Sequence, residues 1–357
     1  MSTRPTSSPA PSLRQAPVKV ARQFACAFIL ALLVSAPIFT RPVRAQAPDT
    51  ASIDRTPNAL AYRALMDGRV EDAASMLRAT LASNPSDATA HQLLCRVFYA
   101  QDQAGDAIRQ CEQAASAQNV PDIQASDNYL WLGRAYGMKA RHAGPIAGFT
   151  LARRVQASFA RAVELNPSNV AALSDLGEYD VAAPSIVGGG DNKAQALAAR
   201  MMPRFPAAAH RLLARLADAN NDLATAEAEF KRAVDVQGAP EAWIDLAQFY
   251  QTHSRPEDAL AAIRSGLAAD RTHGPFLVDA AAILTQANRE SSLAEGCLRD
   301  YLASHAQSDA APAFKVHLQL GRLLAARGDS ANADLELQAA AALAPAFARN
   351  ARTAHGV

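Results

Sequence analysis

The stretch Y-L-W-L-G-R-A-Y, residues 129–136, shows the pattern that decides the fold of this chain. Leu132 and Tyr136 are bulky, and the small Gly133 lies between them at helical spacing, which predicts a helix packed closely against a neighbour. Related stretches recur at intervals of about 34 residues, the length of one kind of helix-turn-helix repeat. The chain therefore reads as a series of helical hairpins.

The pattern can be followed through eight units. The composition supports helices throughout, because alanine and leucine are frequent and aromatic residues make up only 6% of the chain. In the second helix of a unit an alanine is followed four residues later by a large apolar residue, and a proline often ends the unit, as at Ala333, Leu337 and Pro345. We predict an all-α fold, a right-handed superhelical solenoid of about eight antiparallel helix-turn-helix repeats.

These markers resemble those of the tetratricopeptide repeat, and the resemblance covers nearly the whole chain after residue 47. The middle of the chain, with G-R-A-Y-G-M-K-A, L-A-R-R, R-A-V-E-L-N-P and A-P-S-I-V-G-G-G, is similar to a recurring type of exported bacterial repeat protein. The resemblance implies an interaction scaffold and carries no enzymatic activity with it. Leu130 and Arg134 replace the lysine and asparagine clamp of the best-known peptide-binding subtype.

Two adjacent units depart from the repeat between their helices. The third unit contains about ten extra residues near 138–154 relative to the usual repeat length, and the fourth is lengthened near 183–191. The first insertion also carries a basic set for which the sequence indicates only solvation: Lys139, Arg141, His142, Arg153 and Arg154.

The insertion near 183–191 is predicted to be a flexible turn that offers an apolar tip to a partner, with Asp191 as the N-cap of the next helix. It does not match a phosphate-binding loop, because Lys193 is followed by alanine and no strand precedes the glycines. The candidate contact residues of this loop are Ile186, Val187, Gly188, Gly189 and Gly190.

Residues 1–47 read as a secretory signal peptide. Basic residues precede the apolar run F-A-C-A-F-I-L-A-L-L-V-S-A, which is too short to span a bilayer, and Ala45-Gln46-Ala47 completes a cleavage pattern. We predict cleavage after Ala47 and a periplasmic or secreted repeat domain over residues 48–357. An uncleaved membrane anchor is the weaker alternative.

Charge excludes one class of partner. The chain has 35 basic and 34 acidic residues, and removal of the six basic residues of the signal leaves 29 basic residues, a net charge near −5. This balance argues against nucleic acid as the main partner. No apolar run after residue 47 approaches membrane-spanning length, so the mature chain is expected to have no membrane span.

Three cysteines remain after residue 47: Cys95, Cys111 and Cys297. None lies in a C-x-x-C motif, which favours small buried apolar side chains over a metal or redox site. Cys95 and Cys111 fall on facing helices of one hairpin, about one helical turn out of line. A disulfide between them is therefore an open alternative.

The sequence contains no recognisable catalytic or metal motif. The histidines are scattered without H-E-x-x-H spacing, and no G-x-S-x-G elbow is present, so we predict neither an enzyme, a metal site nor a cofactor. His91, His210 and His317 occupy the bulky packing position of three units. Glu227 and Glu229 are predicted to lie on an exposed helix surface.

The remaining candidate surface is the concave groove lined by the first helix of each unit. An arginine recurs at one equivalent position, and neighbouring positions carry aromatic and polar side chains, a composition that interfaces favour. Acidic residues at Asp175, Glu178 and Asp245 interrupt this row. The predicted partner-binding residues are Arg96, Tyr99, Trp131, Arg134, Arg211, Arg215, Gln248 and Arg322.

We therefore predict a non-enzymatic scaffold that acts outside the cytoplasm and binds a protein or peptide through this groove and the two lengthened turns. Ordinary solvated side chains are an equally simple interpretation of the same arginines. The alternative function is a periplasmic accessory component of a solute transport system that docks on a substrate-binding protein.

Overall fold

The structure is a computed structural model that describes residues 56–237 and 240–347. The chain from Ile53 onward forms a compact unit of its own. The predicted signal peptide and its cleavage site after Ala47 lie outside the described residues. Among those residues, none of the helices combines the length and the apolar character needed to cross a membrane.

The described chain is all-α, and its sixteen helices follow one another as eight hairpins, as the repeat pattern predicts. A single 3₁₀ turn at Ser185–Val187 lies between the seventh and eighth helices. The helices in chain order are α1 (Pro57–Met66), α2 (Val70–Ser83), α3 (Ala88–Ala100), α4 (Ala104–Ser116), α5 (Asp122–Ala140), α6 (Pro145–Leu165), α7 (Val170–Ala182), α8 (Asp191–Met201), α9 (Pro206–Ala219), α10 (Leu223–Gln237), α11 (Pro240–Thr252), α12 (Pro256–Ala269), α13 (Phe276–Gln286), α14 (Ser291–Ala303), α15 (Ala313–Ala326) and α16 (Ser330–Leu343).

The helices form two layers. Each first helix packs on the second helix of its own hairpin, and each second helix also contacts the first helix of the following hairpin. Successive first helices contact one another in an unbroken series from α1 to α13. The first helices therefore form the inner layer, from which the groove side chains project.

Close helix approach depends on small residues at the crossing points. Gly133 of α5 lies against Phe159 of α6, where a Cβ atom on Gly133 would sit 2.4 Å from Cε1 of the phenylalanine ring. Phe159 is 6% exposed and belongs to a core cluster that continues into the neighbouring hairpins. The small residue in the decisive stretch is thus required by the ring on the facing helix.

A histidine of the first helix is hydrogen-bonded to the second helix in three hairpins. In each case the imidazole Nδ1 is bonded to a side-chain oxygen of the residue nineteen positions further along the chain. The distances are 2.7, 2.7 and 2.6 Å for the pairs His91 with Gln110, His210 with Glu229 and His317 with Glu336. The predicted packing histidines therefore also link the two helices of their hairpins.

The prediction that Glu227 and Glu229 lie on an exposed surface is wrong. Glu229 is 7% exposed and accepts from His210. Glu227 is half-buried and accepts from Tyr250 and Arg255, and the hydrogen bond from the Arg255 guanidinium is the main cause that lowers the pKa of Glu227 to about 2. Both carboxylates are structural.

Cys95 and Cys111 form a disulfide between α3 and α4, with their Cα atoms 5.3 Å apart. The expected offset of one helical turn is wrong, because the two cysteines face each other across the hairpin. Both are fully buried, and Cys297 is a buried free thiol. The bond covalently closes the second hairpin.

The two insertions have different structures. The extra residues near 138–154 do not form a long turn: they lengthen α5 and α6, which are connected by residues 141–144. The segment 183–190 is a true extended connection. The sequence could not separate these cases, because the residues near 138–154 are compatible with either a loop or added helical turns.

The connection 183–190 is held to α7 by hydrogen bonds. The Gly190 amide donates to the Asp180 carbonyl at 2.7 Å, and the Tyr179 hydroxyl donates to the Val187 carbonyl at 2.8 Å. Two predictions about this loop are wrong. Of the two apolar residues predicted to form the tip, Ile186 is exposed and Val187 is buried. The N-cap of α8 is Gly190 and not Asp191.

The eighth hairpin packs against the first. Phe314 of α15 is fully buried in the core of the first hairpin, together with Leu65 and Val70. At the turn between α1 and α2, Gly68 has a positive φ of 76°, and a Cβ atom there would lie 3.0 Å from Cβ of Ala313. The array of hairpins therefore closes on itself, which the repeat pattern did not predict.

We expect substitution of Gly133 by alanine to lower the free energy of unfolding by about 1–3 kcal/mol, because the new methyl group overlaps the Phe159 ring. Chemical denaturation measures this change. Gly105 is the matched control, since its Cβ position has nothing within 4 Å. Gly105→Ala should leave stability unchanged or raise it slightly through helix propensity. Equal stability of the two variants would contradict the proposed packing.

Candidate partner-binding surface

Trp131 of α5 is flanked by two arginines of the inner layer. The guanidinium carbon of Arg96 lies 4.9 Å from the centroid of the Trp131 ring, and that of Arg134 lies 4.8 Å away. Tyr99 meets the indole edge-on, with ring centroids 5.5 Å apart. The structure thus brings together four of the predicted groove residues in one cation–π cluster.

Arg96 takes part in the closure of the array. Its Nε donates to Oδ2 of Asp309, from the connection between α14 and α15, at 2.6 Å. The two side chains are only 15% and 10% exposed. Near the same contact Lys315 pairs with Asp102 at 2.9 Å. Arg96 is therefore engaged within the chain and is not part of the surface proposed for a partner.

Arg134, Arg211 and Arg215 also have acidic neighbours. Arg134 donates from Nε to Oδ2 of Asp175 on α7 at 2.6 Å. Arg215 donates to Oδ1 of Asp245 on α11 at 2.9 Å, and Arg211 is hydrogen-bonded to the same carboxylate. The acidic residues that interrupt the row in sequence are thus the partners of its arginines. Each pair joins adjacent first helices.

The first helices α9, α11 and α13 line a cavity of about 360 Å³. Three of the predicted groove residues, Arg211, Arg215 and Gln248, line it together with acidic and apolar side chains. The residues that the sequence analysis did not select are Glu241, Ile244, Asp245, Phe276, Asp279, Ala282, Ile283 and Gln286. The cavity therefore combines both signs of charge with an apolar wall.

Asp279 and Glu241 are the carboxylates of this cavity that form no hydrogen bond or ion pair with the described side chains. Asp279 is exposed to the cavity, and partial desolvation by the surrounding walls is the main cause that raises the pKa of Asp279 to about 6. The negative charges of Asp245 and Glu241 raise it further. A cationic group placed here would favour the ionised carboxylate and so oppose the rise in the pKa of Asp279.

Arg322 lies apart from the other predicted residues. It is exposed on α15 and lines a second cavity, of about 570 Å³, together with Lys315 and Phe347. This cavity also reaches Asp102, so it lies beside the contact that closes the array. The predicted groove residues consequently fall into three places: the Trp131 cluster, the cavity around Asp279, and the second cavity.

Within residues 56–237 and 240–347, no group of three or more histidine, cysteine, aspartate or glutamate side chains is arranged to hold a metal ion.

Residues 64–126 match the family model of the tetratricopeptide repeat. The array of helical hairpins is tetratricopeptide-like. Such repeat arrays generally act as scaffolds for protein–protein interaction and are typically non-catalytic.

Two solved structures illustrate the similarity. The crystal structure of TTC0263, a thermophilic tetratricopeptide-repeat protein of Thermus thermophilus, is 18% identical and aligns over 69% of this chain and 97% of its own, with a TM-score of 0.40. The crystal structure of MamA is 13% identical and aligns over 56% of this chain and 88% of its own, with a TM-score of 0.30. No curated protein matches the chain.

We expect Asp309→Ala to lower the free energy of unfolding by about 3 kcal/mol, because it leaves the nearly buried guanidinium of Arg96 without its counter-charge. Urea denaturation measures the loss, and amide hydrogen exchange should accelerate in α1 and α15. Asp106→Ala is the matched control. Its pair with Arg109 is exposed, so its removal should cost less than about 1 kcal/mol. Equal losses in the two variants would refute the role of Asp309 in closure.

Proposed function

We propose that this protein is a non-enzymatic scaffold that acts outside the cytoplasm and binds a protein or peptide partner on the inner layer of first helices. The observation that carries the proposal is the cavity around Asp279, where three successive first helices direct charged and apolar side chains into one space. The Asp279 carboxylate has no ion-pair partner among the described residues, and its surroundings disfavour its ionised form.

The chemistry of this cavity favours a partner segment with a basic side chain next to an apolar one. Arg211 and Arg215 pair with Asp245, and Arg215 also pairs with Glu178, so two carboxylates balance the two arginines and the unpaired charge of the cavity is negative and includes Asp279. A lysine or arginine of the partner would pair with that carboxylate. Ile244, which is half-buried in the cavity wall, would contact the adjoining apolar group.

The disulfide supports the extracytoplasmic location. Disulfides form and persist in oxidising compartments and are rare in the cytosol. The bond between Cys95 and Cys111 therefore agrees with export through the predicted signal peptide, whose residues lie outside the described chain. Export and the bond are independent reasons for the same compartment.

The location has a direct test in the native host. The protein purified from the extracytoplasmic fraction should begin at Pro48 and should resist alkylation at Cys95 and Cys111 until it is reduced. Intact mass spectrometry before and after reduction measures both properties. Recovery of the uncleaved chain with Cys95 and Cys111 alkylated before reduction would contradict the proposed location.

The partner can be captured from the inner layer itself. A photoreactive amino acid at Gln248, which lines the cavity, should cross-link a specific protein in the extracytoplasmic fraction. The same amino acid at Arg264, an exposed position on the second helix α12, is the matched control. Cross-linking of the same protein from both positions would argue against the inner layer as the binding surface.

The purified partner should bind more tightly as the pH rises through the pKa of Asp279, about 6, because only the ionised carboxylate pairs with a cation. We expect Asp279→Asn to weaken binding about tenfold at neutral pH and to flatten this pH dependence. Calorimetry measures both effects.

Asp300→Asn on α14 makes the same chemical change at an exposed site outside the cavity and should bind like the wild type. Arg215→Ala should also weaken binding, since it disturbs the wall that holds Asp245. Unchanged affinity in both Asp279→Asn and Arg215→Ala would exclude the cavity as the binding site.

A further inference from the structure

The third hairpin is longer than its neighbours. Helix α5 has 19 residues and α6 has 21, whereas α4 and α7 have 13 each. At about 1.5 Å per residue, the six extra residues of α5 extend it by about 9 Å. We call residues 139–154, which include the connection between the two helices, the basic tip.

The core does not explain the basic tip. Met138 and Val155 are buried, and none of the residues between them is. The helical residues between these two, 139–140 of α5 and 145–154 of α6, amount to about three turns, counted at about 3.6 residues per turn. Leu151 is the residue of this segment that packs, half-buried, against the neighbouring core, so these turns add little apolar burial to the array.

Charge in and around the basic tip has a single sign. The sequence from residue 128 to residue 163 contains no aspartate or glutamate, although the chain has 34 acidic residues. Lys139, Arg141 and Arg153 are exposed and form no ion pair among the described residues. Arg154 is the member with an acidic neighbour, Glu112, at 3.8 Å. A concentrated positive charge thus lies at one end of one hairpin.

Two large apolar side chains are exposed in the same place. Ile146 is 88% exposed and Phe149 is 41% exposed. They are three residues apart, so they lie on one face of α6, and Arg153 follows on that face one turn later. The end of the hairpin therefore presents apolar side chains with cations around and behind them.

We propose that the basic tip docks on the surface of an anionic lipid bilayer. Ile146 and Phe149 insert at the boundary between headgroups and acyl chains, while Lys139, Arg141 and Arg153 lie against the anionic headgroups. Interfacial membrane binding combines apolar area with electrostatic attraction in this way. The long stems of the basic side chains allow them to reach the headgroups while the apolar pair is inserted.

A membrane surface suits this geometry better than an acidic protein. A specific protein interface typically covers about 800 Å² on each partner, more than the end of one hairpin with two apolar side chains offers. A bilayer accommodates a narrow insertion, because the lipids close around it. The proposal is independent of the groove, which lies on the inner layer of first helices.

The first test is flotation of residues 48–357 with lipid vesicles. This chain contains the whole compact unit that begins at Ile53 and lacks the apolar run of the predicted signal, which would bind lipid by itself. We expect binding to equimolar phosphatidylcholine and phosphatidylglycerol to be at least about tenfold stronger than to phosphatidylcholine alone. Binding should weaken as salt screens the headgroups.

Variants of the basic tip should separate its two contributions. Both the pair Ile146→Ser with Phe149→Ser and the pair Arg141→Glu with Arg153→Glu should reduce binding at least about tenfold. The matched controls are Leu335→Ser, at another exposed apolar residue, and Arg200→Glu, at another exposed arginine, and they should bind like the wild type. Because the altered side chains lie outside the core, circular dichroism should be unchanged in every variant.

The second test reports insertion directly. A tryptophan in place of Ile146 should shift its emission to shorter wavelength with anionic vesicles and should be quenched by brominated acyl chains. Leu335→Trp should show neither effect. Three outcomes overturn the proposal: equal binding to neutral and anionic vesicles, binding that survives both pairs of tip substitutions, or a tryptophan at position 146 that brominated lipid does not quench. Absence of vesicle binding together with capture of an acidic protein by the tip would assign it to a protein partner instead.

Discussion

Phe314 lies in the eighth hairpin, yet its side chain is fully buried in the core of the first. A hairpin in a repeat array buries its apolar surface only against its neighbours, so each end of an open array leaves one face exposed to water. Here the two end faces cover each other. Arg96 and Asp309 add a nearly buried ion pair beside this contact. The two ends are therefore stable only together, and disruption of either one exposes both.

The same geometry shapes the inner layer. Charged residues of successive first helices lie close together, so an arginine of one helix meets an aspartate of a nearby one, as Arg134 meets Asp175. Pairs of this kind neutralise the row while they join the helices. What distinguishes a binding surface is then the charge that stays unpaired. In the cavity between α9, α11 and α13 that charge belongs to Asp279 and Glu241.

The sequence predicts what is local and repeated, and it fails where contacts are distant. The hairpins follow from spacings such as that of Gly133 and Tyr136. The interval of nineteen residues between His210 and Glu229 recurs in two other hairpins, so a repeated contact of this kind is also visible in the sequence. The contact between Arg96 and Asp309 joins residues 213 positions apart and has no periodic signal. The pKa of Asp279 depends on the walls around it, which a residue pattern does not contain.

The third hairpin shows how function can be separated from stability in such an array. Repeats are stabilised by apolar side chains that face the next unit; the last buried ones in this hairpin are Met138 and Val155, and the half-buried Leu151 packs beside them. Exposed large apolar side chains beyond this point favour aggregation and contribute nothing to the core. Ile146 and Phe149 nevertheless lie there, among cations without acidic residues nearby in sequence. The shared core of α5 and α6 accounts for only part of their length, and the proposed docking on a membrane surface gives the exposed basic and apolar end a role that folding does not.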